Sequence, residues 1–243
     1  MASFKTILYS KQCHVGLVSL NRPHVLNAYN MQMRDDLFEI IQSIKDDDDI
    51  KAVLISGQGR AFCSGADLTE FGTAPSQVIA RDVRWKRDVW GQLYSLDKPV
   101  ISALHGYCIG SGLELALLSD IRISSFETKF AMPEVKLGMI PAAGGTQTLP
   151  RHSSLSLAVE LLLTGRTISA EEALNMKLLT RVVAEHELTK TSLNICHQLS
   201  LVPTKVLSAT KLALRESNNL TLREALSLGS RLSLRTLISY DGS

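Results

Sequence analysis

Two glycine-bearing loops and two glutamates are the parts of this sequence whose residue types and spacing could do chemistry. The first loop reads Ala61-Phe62-Cys63-Ser64-Gly65-Ala66-Asp67-Leu68, and the second His105-Gly106-Tyr107-Cys108-Ile109-Gly110-Ser111-Gly112-Leu113-Glu114. Each follows a stretch that reads as a strand and precedes a helix or turn, where backbone N–H groups point outward and can bind a developing negative charge. Such a geometry suits chemistry at a thioester carbonyl, where one preorganised N–H donor contributes about 3 kcal/mol. Glu114 ends the second loop, and Glu134 follows Pro133. Two carboxyl groups brought into one pocket can divide the taking and giving of a proton when their surroundings push their pKa values apart.

Plainer readings compete for the same residues. Gly110-Ser111-Gly112 resembles the start of a dinucleotide fingerprint, but the third glycine would fall at Leu115, too bulky for close helix packing. A serine nucleophile elbow needs glycine two residues before Ser111, where Ile109 stands. Ser111-x-x-Glu114 has the form of a capping box that would fold Glu114 back on its own helix start. Glu134 could be a solvent-facing turn residue, the usual fate of a single glutamate. His105 reads as a hydrogen-bonded residue at a strand end.

The elements that must position these loops follow from periodicity. Phe4 to Ser10 and His14 to Leu20 are rich in β-forming residues, as in a hairpin or adjacent strands. Met33, Leu37, Ile40, Ile41 and Ile44 make one apolar stripe on a helix over 31–44, with Asn30 as its cap. A strand at Ala52 to Ser56, an amphipathic segment from Ser76 to Leu93, a strand at Val100 to Leu104, a buried helix over Leu113 to Leu118 and a strand at Ile121 to Ser124 then alternate as βαβ units. Similar strand and helix signals near 14, 52, 100 and 121 hint at a solenoid of β-β-α turns. From about Ala143 the pattern is helical almost throughout. The chain divides into an α/β core over 1–184 and a helical region over 185–243.

Bulk properties exclude several classes. With 243 residues, 45% hydrophobic, the chain can bury a substantial core. A net charge of +2 gives no reason to expect nucleic acid or an anionic membrane as the main partner. No apolar run approaches the roughly 20 residues that span a bilayer, and the start MASFKTILYS lacks the order of a secretory signal, so a cytoplasmic protein is expected. Cys13, Cys63, Cys108 and Cys196 show no metal-ligand spacing and are expected to be reduced, mostly buried thiols. No metal or redox cofactor is called for.

The ordered pieces of the chain resemble the crotonase, or enoyl-CoA hydratase/isomerase, superfamily. They are Asn21-Arg22-Pro23 with Leu26-Asn27-Ala28; the first loop, Ala61 to Leu68; Lys98-Pro99-Val100-Ile101 leading to Gly106 and Gly110-Ser111-Gly112-Leu113-Glu114-Leu115-Ala116; Asp120-Ile121; Phe130-Ala131-Met132-Pro133-Glu134 with Leu137-Gly138; and Pro141-Ala142-Ala143-Gly144-Gly145-Thr146-Gln147. Leu163-Thr164-Gly165-Arg166 with Ala170-Glu171-Glu172-Ala173 also matches. The resemblance implies a spiral of β-β-α turns, a C-terminal helical trimerisation region, a coenzyme A thioester substrate with no prosthetic group, and a homotrimer or homohexamer.

Carried over residue by residue, the resemblance puts the N–H groups of Ala66 and Ser111 in an oxyanion hole. It places Ser64, Asp67 and Leu68, with Ala28 nearby, at the adenine end of coenzyme A. Glu114 and Glu134 fall on the two acids of the hydratases, and Ala142 N–H on a position that helps hold the reacting water. In that reading Glu134 is the base on water, and Glu114 orients the water and supplies the C2 proton. Isomerases of the superfamily commonly keep one acid, so retention of both implies hydration of a trans-2-enoyl-CoA.

Departures from the pattern touch substrate range. Ser111 and Ala142 stand where glycine is frequent, and Ser111 is acceptable if its φ is negative. The chain stops at Ser239-Tyr240-Asp241-Gly242-Ser243, where relatives continue into a helix over the coenzyme site, so weaker coenzyme A binding is expected. The superfamily also contains RNA-binding and non-catalytic members. Arg81-Asp82-Val83-Arg84-Trp85-Lys86-Arg87-Asp88-Val89-Trp90 is the only footprint of that kind, and its aspartates dilute the charge. At helical spacing, Val83, Lys86, Val89 and Trp90 would share a face lining the acyl pocket, with Arg81, Arg84 and Asp88 turned away.

Overall fold

A computed structural model describes residues 4–238 of the chain. The terminal Ser239-Tyr240-Asp241-Gly242-Ser243, on which the expectation of a missing final helix turns, lies outside the described residues.

The chain opens as a hairpin of β1 (Ile7–Gln12) and β2 (Val15–Leu20). The two residues between them, Cys13 and His14, both have positive φ (46° and 65°), the backbone twist that a tight hairpin needs. Cys13, at this turn, is exposed, and the other three cysteines are buried and free, in line with the expectation of mostly buried thiols. Next comes α1 (Met31–Asp46), which buries Met33, Leu37, Ile40, Ile41 and Ile44, and the Asn30 side chain accepts from Met33 N–H at 2.9 Å.

β3 (Ala52–Gly57) begins the parallel part of the sheet, and after it the expected single amphipathic helix is two. α2 (Gln77–Lys86) stops at Arg87, and α3 (Val89–Ser95) restarts because Asp88 accepts from Gly91 N–H at 3.0 Å as an N-cap. β4 (Val100–Leu104), β5 (Tyr107–Ile109) and α4 (Ser111–Leu117) follow, then β6 (Ile121–Ser125) and β7 (Lys129–Ala131). Beyond them lie α5 (Gly145–His152), α6 (Leu155–Thr164), β8 (Ile168–Ser169), α7 (Ala170–Asn175), β9 (Arg181–Val183), α8 (Glu185–Ser200), α9 (Thr204–Ser217) and α10 (Leu222–Ile238). The strands β8 and β9 correct the expectation of helices almost throughout after residue 143. At two and three residues they are too short to show a period.

The topology is a spiral of β-β-α turns. One six-stranded sheet runs β1-β2-β3-β4-β6-β9, parallel from β2 onward, and a three-stranded sheet runs β5-β7-β8. β4, β5 and α4 make one turn, and β6 and β7 begin the next, each parallel to its counterpart: Ala103 faces Ile123, and Cys108 faces Phe130. The preceding turn touches the same stack through the parallel bridge of Cys63 with Cys108.

Both faces of the large sheet are covered, so its strands are apolar runs rather than alternations. Val53, Ile55, Val100 and Leu104 join the main core with α1, α3 and α4. Ala52, Leu54, Ile101, Ala103 and Ile123 form a second core closed by Leu188 and Cys196 of α8. α9 and α10 pack chiefly against each other, and Leu222, Leu226, Leu234 and Leu237 remain exposed.

Candidate active site

The first glycine-bearing loop is held in place through its backbone. Phe62 N–H donates to His105 O (2.9 Å), Cys63 N–H to Tyr107 O (2.9 Å), Tyr29 N–H to Gly65 O (2.8 Å) and Asp67 N–H to Tyr29 O (2.8 Å). The Leu26-Asn27-Ala28 segment exists to serve this loop. Asn27 is fully buried, takes a left-handed φ of 56°, and donates through Nδ2 to Gln58 O and Ala61 O. Arg22 donates to both Ala28 O (2.6 Å) and Asp67 Oδ2 (2.8 Å). Thr69 and then Arg22 hold the Asp67 carboxyl below the usual carboxylate range. Throughout these contacts the Ala66 amide makes no hydrogen bond within the described residues.

The second loop turns into α4 at Gly110, whose φ of +50° and ψ of −121° suit only glycine. A Cβ there would also lie 2.8 Å from Glu134 Oε1, which shows how closely that carboxylate approaches the loop. Ser111 is the first residue of α4, so its amide has no intrahelical acceptor, and its φ is not positive. Gly112 lets the helix sit directly on the first loop, since a Cβ would come within 2.6 Å of Cys63 O.

The two glutamates meet in one volume. Glu114 is 1% exposed, and its Oε1 accepts from Ala143 N–H at 2.8 Å and Gly145 N–H at 2.9 Å. No side-chain hydrogen bond caps α4, so the capping-box reading of Ser111 and Glu114 is overturned: these two amides draw the carboxylate across to α5. Burial raises the Glu114 pKa, opposed by the Gly145 and Ala143 amides and more weakly by the charge of Arg84. Glu134 starts a short 3-10 turn and is half-buried, with Oε2 enclosed and lacking any partner, which overturns its reading as a solvent-facing residue. Burial raises its pKa too, helped by the negative charge of Glu114.

A cavity of about 690 Å³ receives these groups. It is lined by Ser64, Ala66, Asp67 and Leu68 of the first loop, by Ser111 and Glu114 of the second, and by Glu134 and Ala142. Ala28 is not among the lining residues and meets the site through its carbonyl on Arg22. His105 also stands outside it, with Nε2 paired to Gly59 O at 2.9 Å. Among the described residues no cluster of three or more His, Cys, Asp or Glu side chains converges as metal ligands would.

Among the lining residues that went unremarked as such in the sequence are Tyr29, Arg34, Arg84 and Arg87. Tyr29 rests against Trp90 with ring centroids 5.1 Å apart. The α2 face differs from the expected one: Ile79, Ala80, Val83, Arg84 and Arg87 look into the cavity, whereas Lys86 is exposed and pairs with Asp82, and Val89 is buried in the core. The break after Lys86 resets the helical phase, so a stripe drawn through residues 83–90 joins two different helices.

The family model for enoyl-CoA hydratase/isomerase matches residues 10–240. The chain belongs to the enoyl-CoA hydratase/isomerase family. A Mycobacterium leprae protein named "probable enoyl-CoA hydratase" is 35% identical over 240 residues, covering 99% of this chain and 93% of that protein. The 2,3-dehydroadipyl-CoA hydratase of Escherichia coli is 34% identical over 90% of this chain and 86% of its own length. A solved Thermobifida fusca structure, described as a "putative enoyl-CoA hydratase" in complex with CoA, superposes with a TM-score of 0.92 at 31% identity, covering 98% of this chain and 95% of that one. The crotonase-like fold expected from the sequence is thus the observed one.

Proposed function

We propose that this member of the family is an enoyl-CoA hydratase, a hydro-lyase that adds water syn across the C2=C3 bond of a trans-2-enoyl-CoA. One observation carries the reading: two carboxyl groups, both held above the ordinary glutamate pKa, share a cavity with two glycine-bearing loops that leave amides unused. Polarising the thioester carbonyl toward an enolate requires donors fixed where charge develops, and the Ala66 and Ser111 N–H groups take that role.

Glu134 acts as the base on water. Its Oε2 lacks a partner, and water is the group that would satisfy it. Glu114 is its counterpart: the Ala143 and Gly145 amides fix one of its oxygens, and the other orients the water and returns a proton to C2. Ala142, beside those amides on the cavity wall, holds the water from the other side. Water gives one proton to Glu134 as the C3–O bond forms, and Glu114 gives one to C2, so the pair of carboxyl groups holds a single proton before and after, moved from Glu114 to Glu134, and the addition is redox-neutral.

Ser64, Asp67 and Leu68, with Ala28 behind them, take the adenine end of coenzyme A, and the Arg22 bond to both Asp67 and Ala28 O keeps that cradle in shape. The region from residue 185 serves assembly, with the exposed leucines of α10 meeting other copies in a homotrimer or homohexamer. Light scattering of the eluted protein tests this, and a monomer would sink it. No helix of the described residues is long and apolar enough to cross a membrane, and our reading places the protein in the cytoplasm.

The deciding experiment is hydration of crotonyl-CoA, followed by loss of enoyl-thioester absorbance and by identification of 3-hydroxybutyryl-CoA. A folded protein that turns over neither this thioester nor longer or branched homologues would end the proposal.

A further inference from the structure

One charged side chain in the cavity has no part in the hydration chemistry. Three guanidinium groups line the walls, those of Arg34, Arg84 and Arg87. Arg34 pairs with Asp35 at 2.9 Å, and Arg87 pairs with Glu39 while lying over the Phe38 ring. Arg84 has no hydrogen bond or ion pair with any described residue. Three of the four acids on the cavity wall are engaged elsewhere, Asp67 with Arg22 and Thr69, Glu70 with the Met31 amide and Glu114 with two amides, and the fourth, Glu134, forms no ion pair with Arg84.

Helical spacing decides which way Arg84 faces. Ile79 and Val83, and Ala80 and Arg84, are i,i+4 pairs on the cavity side of α2. The opposite side carries Lys86 paired with Asp82 at 2.7 Å and Arg81 over the Trp85 ring at 4.9 Å. Arg84 is thus an exposed cation without an ion-pair partner among the described residues, on a cavity wall that also includes Val83, Trp90 and Ile140. Glu114 and Tyr29 line the same cavity, and the Arg84 charge lowers the pKa of both against the larger effect of burial.

We propose that Arg84 receives a carboxylate at the far end of the acyl chain, so that the substrates this cavity selects are coenzyme A thioesters of short unsaturated dicarboxylic acids. A guanidinium offers a carboxylate paired donors in a fixed fork. Without such a partner a charged chain end would bind worse than a methyl, because it must leave water to enter an apolar wall. The inference adds a substrate class to the hydratase reading and rests on that reading for the reaction, though not for binding.

The test separates the two. Adipyl-CoA and hexanoyl-CoA, saturated six-carbon chains that differ only at the terminus, are titrated calorimetrically into the wild-type chain, Arg84→Met and Arg84→Lys. The wild type binds adipyl-CoA about tenfold more tightly than hexanoyl-CoA, the size expected of one charge-assisted contact. Arg84→Met removes that ratio, and Arg84→Lys restores part of it. A wild-type preference for hexanoyl-CoA, or equal affinities, overturns the proposal. So does an equal loss for both chains in Arg84→Met, which would place the guanidinium on a phosphate of coenzyme A. The matching rate ratio, 2,3-dehydroadipyl-CoA against trans-2-hexenoyl-CoA, follows the same pattern. If neither enoyl thioester is hydrated, the reaction reading fails, while the binding ratio still decides the role of Arg84.

Discussion

α4 and α2 look into the same cavity from opposite extremes of packing. Every residue of α4 after Ser111 is buried, and Gly112 presses its backbone onto the first loop; α2 buries none of its ten residues. Ser111 and Glu114, two of the groups to which we assign the chemistry, are built on the first, and one flank of the proposed acyl site on the second. Geometry that must hold to a fraction of an ångström for catalysis sits where neighbours on all sides fix it. A wall that only selects among acyl chains can be rebuilt at little cost, because surface positions carry small stability terms.

The comparison breaks most visibly at Glu134. Replacing it by glutamine keeps the shape and removes the base, so turnover of crotonyl-CoA should fall by about 10²-fold or more, while the circular dichroism spectrum stays that of the wild type. Turnover at the wild-type level would refute its role. Next in size is Gly112→Ala, which places a methyl within 2.6 Å of Cys63 O and 2.7 Å of Cys63 Cβ. Neither group can move without shifting the first loop. A loss of about 2 kcal/mol, or roughly 5 °C in melting temperature, is expected from overpacking of this kind. An unshifted melting curve would mean that α4 is not seated as tightly as the backbone contact implies.

The same contrast explains what could be read in the sequence. Buried elements announce themselves: the α1 stripe from Met33 to Ile44 and the apolar runs of β3 and β4 needed only their periods. The two loops were visible through their glycines, and Glu134 through the motif around Pro133. What stayed hidden depended on long-range hydrogen bonds. Nothing in Ser111-x-x-Glu114 separates a local cap from a carboxylate taken by amides 29 and 31 residues away. The break between α2 and α3 hid for another reason: Asp88 caps a helix inside what reads as one amphipathic stretch. That single phase error turned Arg84 to the wrong face.

A smaller effect separates the carboxyl groups from the rest of the buried core. The native state raises the pKa of both Glu114 and Glu134 above 4.5, so between that value and the native ones the folded chain holds more protons than the unfolded chain. Stability therefore declines as pH rises through this window. Glu134→Gln has no such group to ionise, so its melting temperature should match the wild type near about pH 4 and exceed it slightly by about pH 8. The acid limb of kcat/KM in the wild type should correspondingly lie above the usual glutamate range. A mutant-to-wild-type difference independent of pH would remove burial as the cause.

The smallest effect is expected on the outer side of α2. Trp85 is 68% exposed and touches Arg81 rather than the cavity. Trp85→Ala should change stability by under about 0.5 kcal/mol, as surface substitutions do, and leave crotonyl-CoA hydration within about twofold of the wild type. The size of this null sharpens the contrast with Gly112, because a tryptophan loses far more atoms than one methyl adds. A melting temperature that drops by several degrees, and more at low protein concentration, would show that another copy of the chain covers this face. In that event the acyl wall would be as firmly held as the reacting groups, and selection by Arg84 would be a property of the assembly rather than of a single chain.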